Sequence, residues 1–259
     1  MNTLTLNPGR LAALGRSELT LLVRNRAALS IALLMPLLMV MTLRSTLDPE
    51  TLGAGPHAMG IGEATLTGGI GMVLILVVYM NLVSAYVARR EELVLKRLRT
   101  GEANDLEILA GAALPSAVLA LGQIAVLVMA GAAALDAKAP ANPALLVAAV
   151  LAGIVLLAGL SALTSSFTRN VESAGLTTMP LFLLTAFGSE LFLPGNALPG
   201  PLARACELLP LSGVMTLVRA GWLGGAEAGS LLAPALVTLA WIALTVWAVR
   251  RWFRWEPRR

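Results

Sequence analysis

Apolar residues along this chain gather into long charge-free runs separated by short charged stretches. Six runs stand out: Ala27–Leu43, Thr65–Ala88, Ile108–Leu135, Ala139–Thr168, Ser173–Ser189 and Leu231–Val249. A helix needs about 20 mostly apolar residues to cross the hydrocarbon core of a bilayer. With flanking residues added, the pattern predicts six transmembrane helices at 27–46, 65–88, 108–135, 143–167, 173–193 and 231–250. The third and fourth runs exceed one span, which implies tilt or interfacial ends. Pro36 and Pro180 fall inside spans, where neighbouring helices can satisfy the freed carbonyls. The fold class is an all-α integral membrane protein, with residues 1–259 forming one domain.

Three other segments are neither span nor simple loop. Residues 10–26 predict an amphipathic interfacial helix. Leu11, Leu14, Leu19 and Leu22 share one face, with Arg10, Arg16, Ser17, Thr20 and Arg24 opposite. A basic flank to the first span accounts for those arginines but not for the leucine spacing. After the second span comes the charged stretch from Arg89 to Asp105. As a helix it places Val94, Leu95 and Leu98 on one stripe, turns Arg89, Glu92, Lys96 and Arg99 away, and stops at Gly101. Such a helix suits docking into a groove on a cytoplasmic partner; a membrane-surface helix is the alternative that spacing leaves open. Between the fifth and sixth spans, short apolar pieces are punctuated by Pro194-Gly195, Pro199-Gly200-Pro201 and Leu209-Pro210-Leu211-Ser212-Gly213. They predict re-entrant or interfacial helices too short to cross.

Composition agrees with this partition. The chain is 57% hydrophobic and 13% charged, against about 25% charged in soluble domains, and its mean hydropathy is +0.80. Too few charges remain to solvate a globule of this length, and so apolar a chain cannot stay disordered. The basic residues are unevenly placed. Residues 1–26, 89–107, 169–172 and 250–259 hold 4, 5, 1 and 5 of the 19 Lys and Arg; the opposite loops hold only Arg44, Lys138, Arg204 and Arg219. By the positive-inside rule both termini are cytoplasmic, and topology explains the basic balance without a nucleic-acid partner. The tail Arg250-Arg251-Trp252-Phe253-Arg254-Trp255 reads as an interfacial anchor. Arginine makes up 17 of the 19 basic residues, which fits a bacterial plasma membrane from a GC-rich genome. A cleaved signal peptide is disfavoured by the 26-residue polar lead and the missing A-x-A site before Arg44.

Catalytic chemistry has little footing. The P-loop needs G-x-x-x-x-G-K-[ST], and both lysines, Lys96 and Lys138, lie in other contexts. H-E-x-x-H and G-x-S-x-G are missing too, and one cysteine (Cys206) with one histidine (His57) offers no metal set. Catalytic and metal-ligating residues are therefore expected to be none. Asn81, Gln123, Ser161 and Thr164 are polar positions within spans that read first as interhelical hydrogen-bonding groups. Asn81, Gln123 and Glu190 are the candidates for lining a path. Glu190 closes a 17-residue run, which favours the outer water interface over a proton relay.

The sequence resembles the membrane subunit of type-2 ABC transporters, the permease family of drug and natural-product exporters. The similarity rests on the lead ending Leu22-Val23-Arg24-Asn25-Arg26 before a Pro36-containing span, and on Arg89-Arg90-Glu91-Glu92-Leu93-Val94-Leu95-Lys96-Arg97-Leu98-Arg99-Thr100, where the family has R-R-E-x-G-x-L-K-R-L-R-x-[TS]. It extends to the broken fifth span and to Leu209-Pro210-Leu211-Ser212-Gly213 followed by Leu217-Val218-Arg219 and Gly221. Leu93 stands where the family often has Gly, and Gly101-Glu102-Ala103 replaces a Pro-containing continuation. The resemblance implies a single permease domain, with two copies enclosing a translocation path in the lipid bilayer. Each copy would rest on a separate ABC ATPase subunit (two copies), which binds ATP and Mg; no cofactor is bound by the permease itself. The lead helix (Leu11, Leu14, Arg16, Leu19, Leu22, Arg24) and the coupling helix (Arg89, Arg90, Glu91, Glu92, Val94, Leu95, Lys96, Arg97, Leu98, Arg99) would pass ATPase closure to the spans. The expected cargo is a hydrophobic or amphipathic small molecule, as in drug efflux and antibiotic resistance. Export of a polysaccharide or lipid-linked glycan is the alternative within the family. A proton-coupled secondary transporter is the alternative outside it, and would need membrane-embedded carboxylates and an internal repeat.

Overall fold

A computed structural model describes residues 60–100, 104–134, 138–189 and 200–256, together with Gly9, Thr20, Leu38 and Thr42, each of which is helical. The remainder of the interfacial helix expected at 10–26 and of the first span expected at 27–46 lies outside the described residues. So does Glu190.

Among the described residues every regular element is a helix. The first, α1 (Ile61–Val73), runs through a π-helical segment (Leu74–Met80) directly into α2 (Asn81–Glu91). There follow α3 (Val94–Arg99), α4 (Asp105–Ala134), α5 (Pro143–Phe167), α6 (Val171–Gly188), α7 (Gly200–Glu207), α8 (Ser212–Leu223) and α9 (Ala228–Trp252). Four rods are long and apolar enough to cross a membrane: Gly62–Glu91, Asp105–Met129, Pro143–Phe167 and Ala228–Trp252. Helix α6 is apolar but shorter, and α7 and α8 form a pair bent by 88° across Leu208–Leu211. At 1.5 Å per residue the 12-residue α8 is about 18 Å long, well short of the bilayer core. It nevertheless buries Val214, Met215, Leu217, Val218 and Trp222, so it plunges into the bundle, whereas α7 has no buried residue.

Helix α5 sits at the centre, packed against α8, α9, the π segment and α2. Its start is locally encoded: Pro143 occupies the first turn and the Asn142 side chain accepts from the Leu145 amide at 3.0 Å. The preceding amides of Ala141 and Asn142 donate to Trp222 O and Gly221 O at 3.0 and 2.8 Å, satisfying the carbonyl end of α8. That approach is so close that a Cβ at Gly221 would lie 2.8 Å from the Leu146 amide nitrogen. Gly213, on the same helix, sits against the Pro234 carbonyl of α9, 2.5 Å from where its Cβ would be. Small residues at such contacts let helix backbones approach, which is how packing replaces the hydrophobic effect inside lipid.

The π segment is matched to α5. Ser161 Oγ donates to the Tyr79 carbonyl at 3.1 Å, and the Tyr79 hydroxyl pairs with Thr164 Oγ1 at 3.2 Å. The wider π turn presents both groups of Tyr79 to one neighbour. Ser161 and Thr164 are thus interhelical hydrogen-bonding groups, as their positions in the sequence suggest.

Gly221→Ala is expected to lower stability by about 1–3 kcal/mol, because the obstructing atoms are backbone and cannot rotate away. Gly175→Ala, where nothing described lies within 4 Å of the added methyl, is the control and should not fall below the unaltered protein. Thermal unfolding in detergent, followed by size-exclusion chromatography, compares the two.

Candidate functional site at the α2–α3 junction

The charged stretch after the second span is two helices with a sharp bend between them. Helix α2 carries on to Glu91, past the end of the apolar run. Glu92 then leaves the helical region at φ −74°, ψ 0°, and Leu93 takes the left-handed conformation at φ 59°, ψ 14°. Its amide donates back to Arg90 O at 3.1 Å. A left-handed residue with a side chain costs roughly 1–2 kcal/mol relative to right-handed backbone, and glycine avoids that cost. The Gly common at this place in the resembling permeases therefore has a conformational reason, and Leu93 adopts the same bend at a cost.

The bend turns the apolar stripe of α3 inward. Leu95 is fully buried, Val94 and Leu98 are half-buried, and α3 packs on α2 and α4. The expectation that Val94, Leu95 and Leu98 form a seam for a partner is corrected for Leu95, since the chain's own bundle covers it. What remains outward is a ridge of Glu91, Glu92, Lys96, Arg97, Arg99 and Thr100, with Leu93 at 40% exposure among them. Arg89 is half-buried.

Arg90 departs furthest from expectation. Included in the coupling helix that the family resemblance implies, it is 1% exposed. Its Nη1 donates to Ser165 O at 2.6 Å, and its Nη2 to Thr168 O at 2.5 Å and Arg169 O at 3.4 Å. The guanidinium caps the carbonyl end of α5, where Ser165 O also takes the Thr168 amide at 3.2 Å and the helix dipole is negative. A buried cation is tolerable because its fork meets several acceptors at once.

The start of α4 adds a residue that the sequence reading overlooked. Glu107 is fully buried, and its carboxylate accepts from the Asn104 amide at 3.0 Å. The signal was present as Asn104-Asp105-Leu106-Glu107, an N-cap residue followed three positions later by Glu. Next to it Arg99 Nε pairs with Asp105 Oδ1 at 3.1 Å.

The C-terminal tail closes over this junction. Phe253 and Trp255 pack onto the cluster of Leu82, Tyr86, Leu109, Ala112, Ala113, Ala162 and Val249. The Phe253 ring meets Tyr86 and Trp255 edge-on, with centroids 6.4 and 4.9 Å apart. Trp252 projects outward, in edge contact with Trp247 of α9 at 5.1 Å, whereas Trp255 is folded back onto the bundle.

Of the candidate path residues, Asn81 and Gln123 lie apart. Asn81 is exposed at the start of α2 and donates to Ser116 Oγ on α4 at 3.4 Å. Gln123 is buried and lies two helical turns further along α4, about 10 Å away by helical rise. At the other end of the bundle, Arg219 Nη2 donates to Ser189 O at 2.5 Å. Ser212 Oγ lies 2.8 Å from Gly188 O and 2.6 Å from Cys206 O. These contacts, with Trp241 Nε1 donating to Leu208 O at 2.8 Å, hold the α7–α8 bend and explain the Leu-Pro-Leu-Ser-Gly segment structurally.

The family model for the ABC-2 family transporter protein matches residues 28–250, which take in the junction, the central α5 and nearly all of α9. The chain belongs to the ABC-2 transporter family. No curated protein matches it. Membership makes the chain a membrane transport subunit of permease type rather than the ATPase itself, and it implies an ATPase partner.

Arg90→Met is expected to cost about 3 kcal/mol, since it strands the buried Thr168 carbonyl and leaves the space of the guanidinium unfilled. Arg97→Ala on the exposed ridge should change stability by no more than about 0.5 kcal/mol. Melting midpoints of the two purified variants give the comparison.

Proposed function

We propose that this chain is the permease subunit of an ATP-driven exporter, and that its ATPase docks on the ridge formed by Glu91, Glu92, Leu93, Lys96 and Arg97. The observation that carries the reading is the left-handed bend at Leu93. It lifts charged and apolar side chains out of the bundle while Arg90 and Leu95 hold the same turn rigidly inside it. A partner with complementary charges and a shallow apolar groove fits that ridge, and a short helix entering a groove is a recurring recognition mode. ATP and Mg enter through that partner.

Two copies of the chain, identical or paired with a related permease, would enclose the path, with six spans each and both termini in the cytoplasm of a bacterial cell. The uneven placement of arginine and lysine supports that orientation. The contact between Lys96 and Glu256 is compatible with α3 and the C-terminal tail lying on the same side of the membrane. The cargo best suited to such apolar spans is a hydrophobic or amphipathic small molecule, with the exposed Asn81 supplying a polar group at the start of α2.

Co-purification of the ATPase tests docking. Arg97→Glu is expected to lower recovered ATPase about tenfold, ~1.4 kcal/mol of association. Leu93→Gly should lower recovery too, while its melting midpoint stays at or above that of the unaltered chain. Undiminished recovery from both variants would sink the docking assignment.

Orientation has its own readout, because Cys206 is the single thiol and is partly exposed. A membrane-impermeant maleimide should label Cys206 in intact cells. On a Cys206→Ser background, Thr100→Cys should label only after permeabilisation. The reverse pattern would place α3 outside.

A further inference from the structure

Helix α3 has six residues, too few to hold a helical conformation or a fixed direction unaided. Leu95 is its one fully buried side chain, and contacts along its exposed side add to that anchor. One is local: Arg99 to Asp105 at the head of α4. The others come from the far end of the sequence. Lys96 Nζ lies 2.8 Å from Glu256 Oε1, and the Arg99 guanidinium stands 4.8 Å from the centroid of the Trp255 ring. The same tail reaches α2 through the Phe253–Tyr86 ring contact and α5 through the Arg254 amide, which donates to Ser166 Oγ at 3.4 Å. Four consecutive residues after α9 thus touch α2, α3 and α5. The family match ends at residue 250, so these four tail residues lie beyond the matched segment while their partners lie within it.

We propose that the tail Phe253–Glu256 is a strut that fixes α3 to α9, and that Trp255 is its positioning residue. This rests on the docking reading above, and adds that force applied to the α3 ridge reaches the last span directly as well as through α2. The chemistry distinguishes the parts. Lys96 and Glu256 are both more than half exposed, and such a pair holds little by itself. Trp255 is half-buried and joins two partners, the Arg99 cation over its face and the Phe253 ring at its edge. Removing that indole releases α3 from α9 while leaving the ridge and the Arg90 cap in place.

The natural thiol provides a readout at the opposite end of the molecule. The carbonyl of Cys206 is bound by Ser212 beside the α7–α8 bend, and α8 packs on α9. The complex of the full chain with its ATPase is labelled at Cys206 with an environment-sensitive fluorophore, and emission is followed as ADP and vanadate are trapped. The unaltered complex should change emission on trapping. Trp255→Ala should keep the ATPase bound and the melting midpoint unchanged, yet lose that change, and Trp255→Phe should restore it by returning an aromatic face to Arg99. A full emission change in Trp255→Ala would overturn the strut. Loss of bound ATPase in Trp255→Ala would also overturn it, because the tail would then be a docking surface and not a positioning element. Absence of ATPase from the unaltered chain would overturn the docking reading instead.

Discussion

The fork of Arg90 on the last carbonyls of α5 is the contact around which the described bundle is organised. Helix ends leave four carbonyls without amide partners, and near a bilayer core there is little water to take their place. A guanidinium supplies several donors in one plane and cannot lose its charge. It can therefore close the end of one helix while belonging to another, and so fix where α2 ends relative to α5. Arg219 makes a comparable bond to Ser189 O at the end of α6, on the opposite side of the bundle. Two arginines that composition counts only as positive charge act as covers for helix ends.

With that end fixed, the interior can be assembled from small residues and hydroxyls. Gly213 and Gly221 let α8 lie against the backbones of α9 and α5. Ser161 and Thr164 meet the π segment at Tyr79. Each is a short-range, directional contact, as expected where surrounding lipid gives apolar side chains no reason to prefer one another. The outward face of the junction is the reverse, formed of long charged side chains over one buried leucine.

Much of this was legible in the residues. Long apolar runs underlie the four membrane-length rods; the Asn142–Pro143 and Asn104–Glu107 caps that start α5 and α4 were present in the residues but overlooked. The bent α7–α8 pair follows from Gly and Pro punctuation around pieces too short to cross. Less legible was the division within Arg89–Arg99. A helical projection treats the stretch as one continuous helix and assigns faces by angle alone. The left-handed turn at Leu93 breaks that projection, sending Leu95 inward; Arg90, in the last turn of α2, is buried against α5. The fold-back of Trp255 was hidden for another reason: an aromatic and arginine-rich tail has the same composition whether it lies in headgroups or against protein.

What the sequence determined by itself was membership of the membrane, the approximate extent of each described span and the segregation of basic charge. Those are properties of one segment at a time, governed by the free energy of moving its own side chains between water and lipid. Tertiary structure alone decided which charges face a partner and which hold the bundle. Arg90 meets Ser165 across 75 residues of chain, and Lys96 meets Glu256 across a longer interval still. Pairings at such separation depend on how whole helices pack, and no local pattern encodes them.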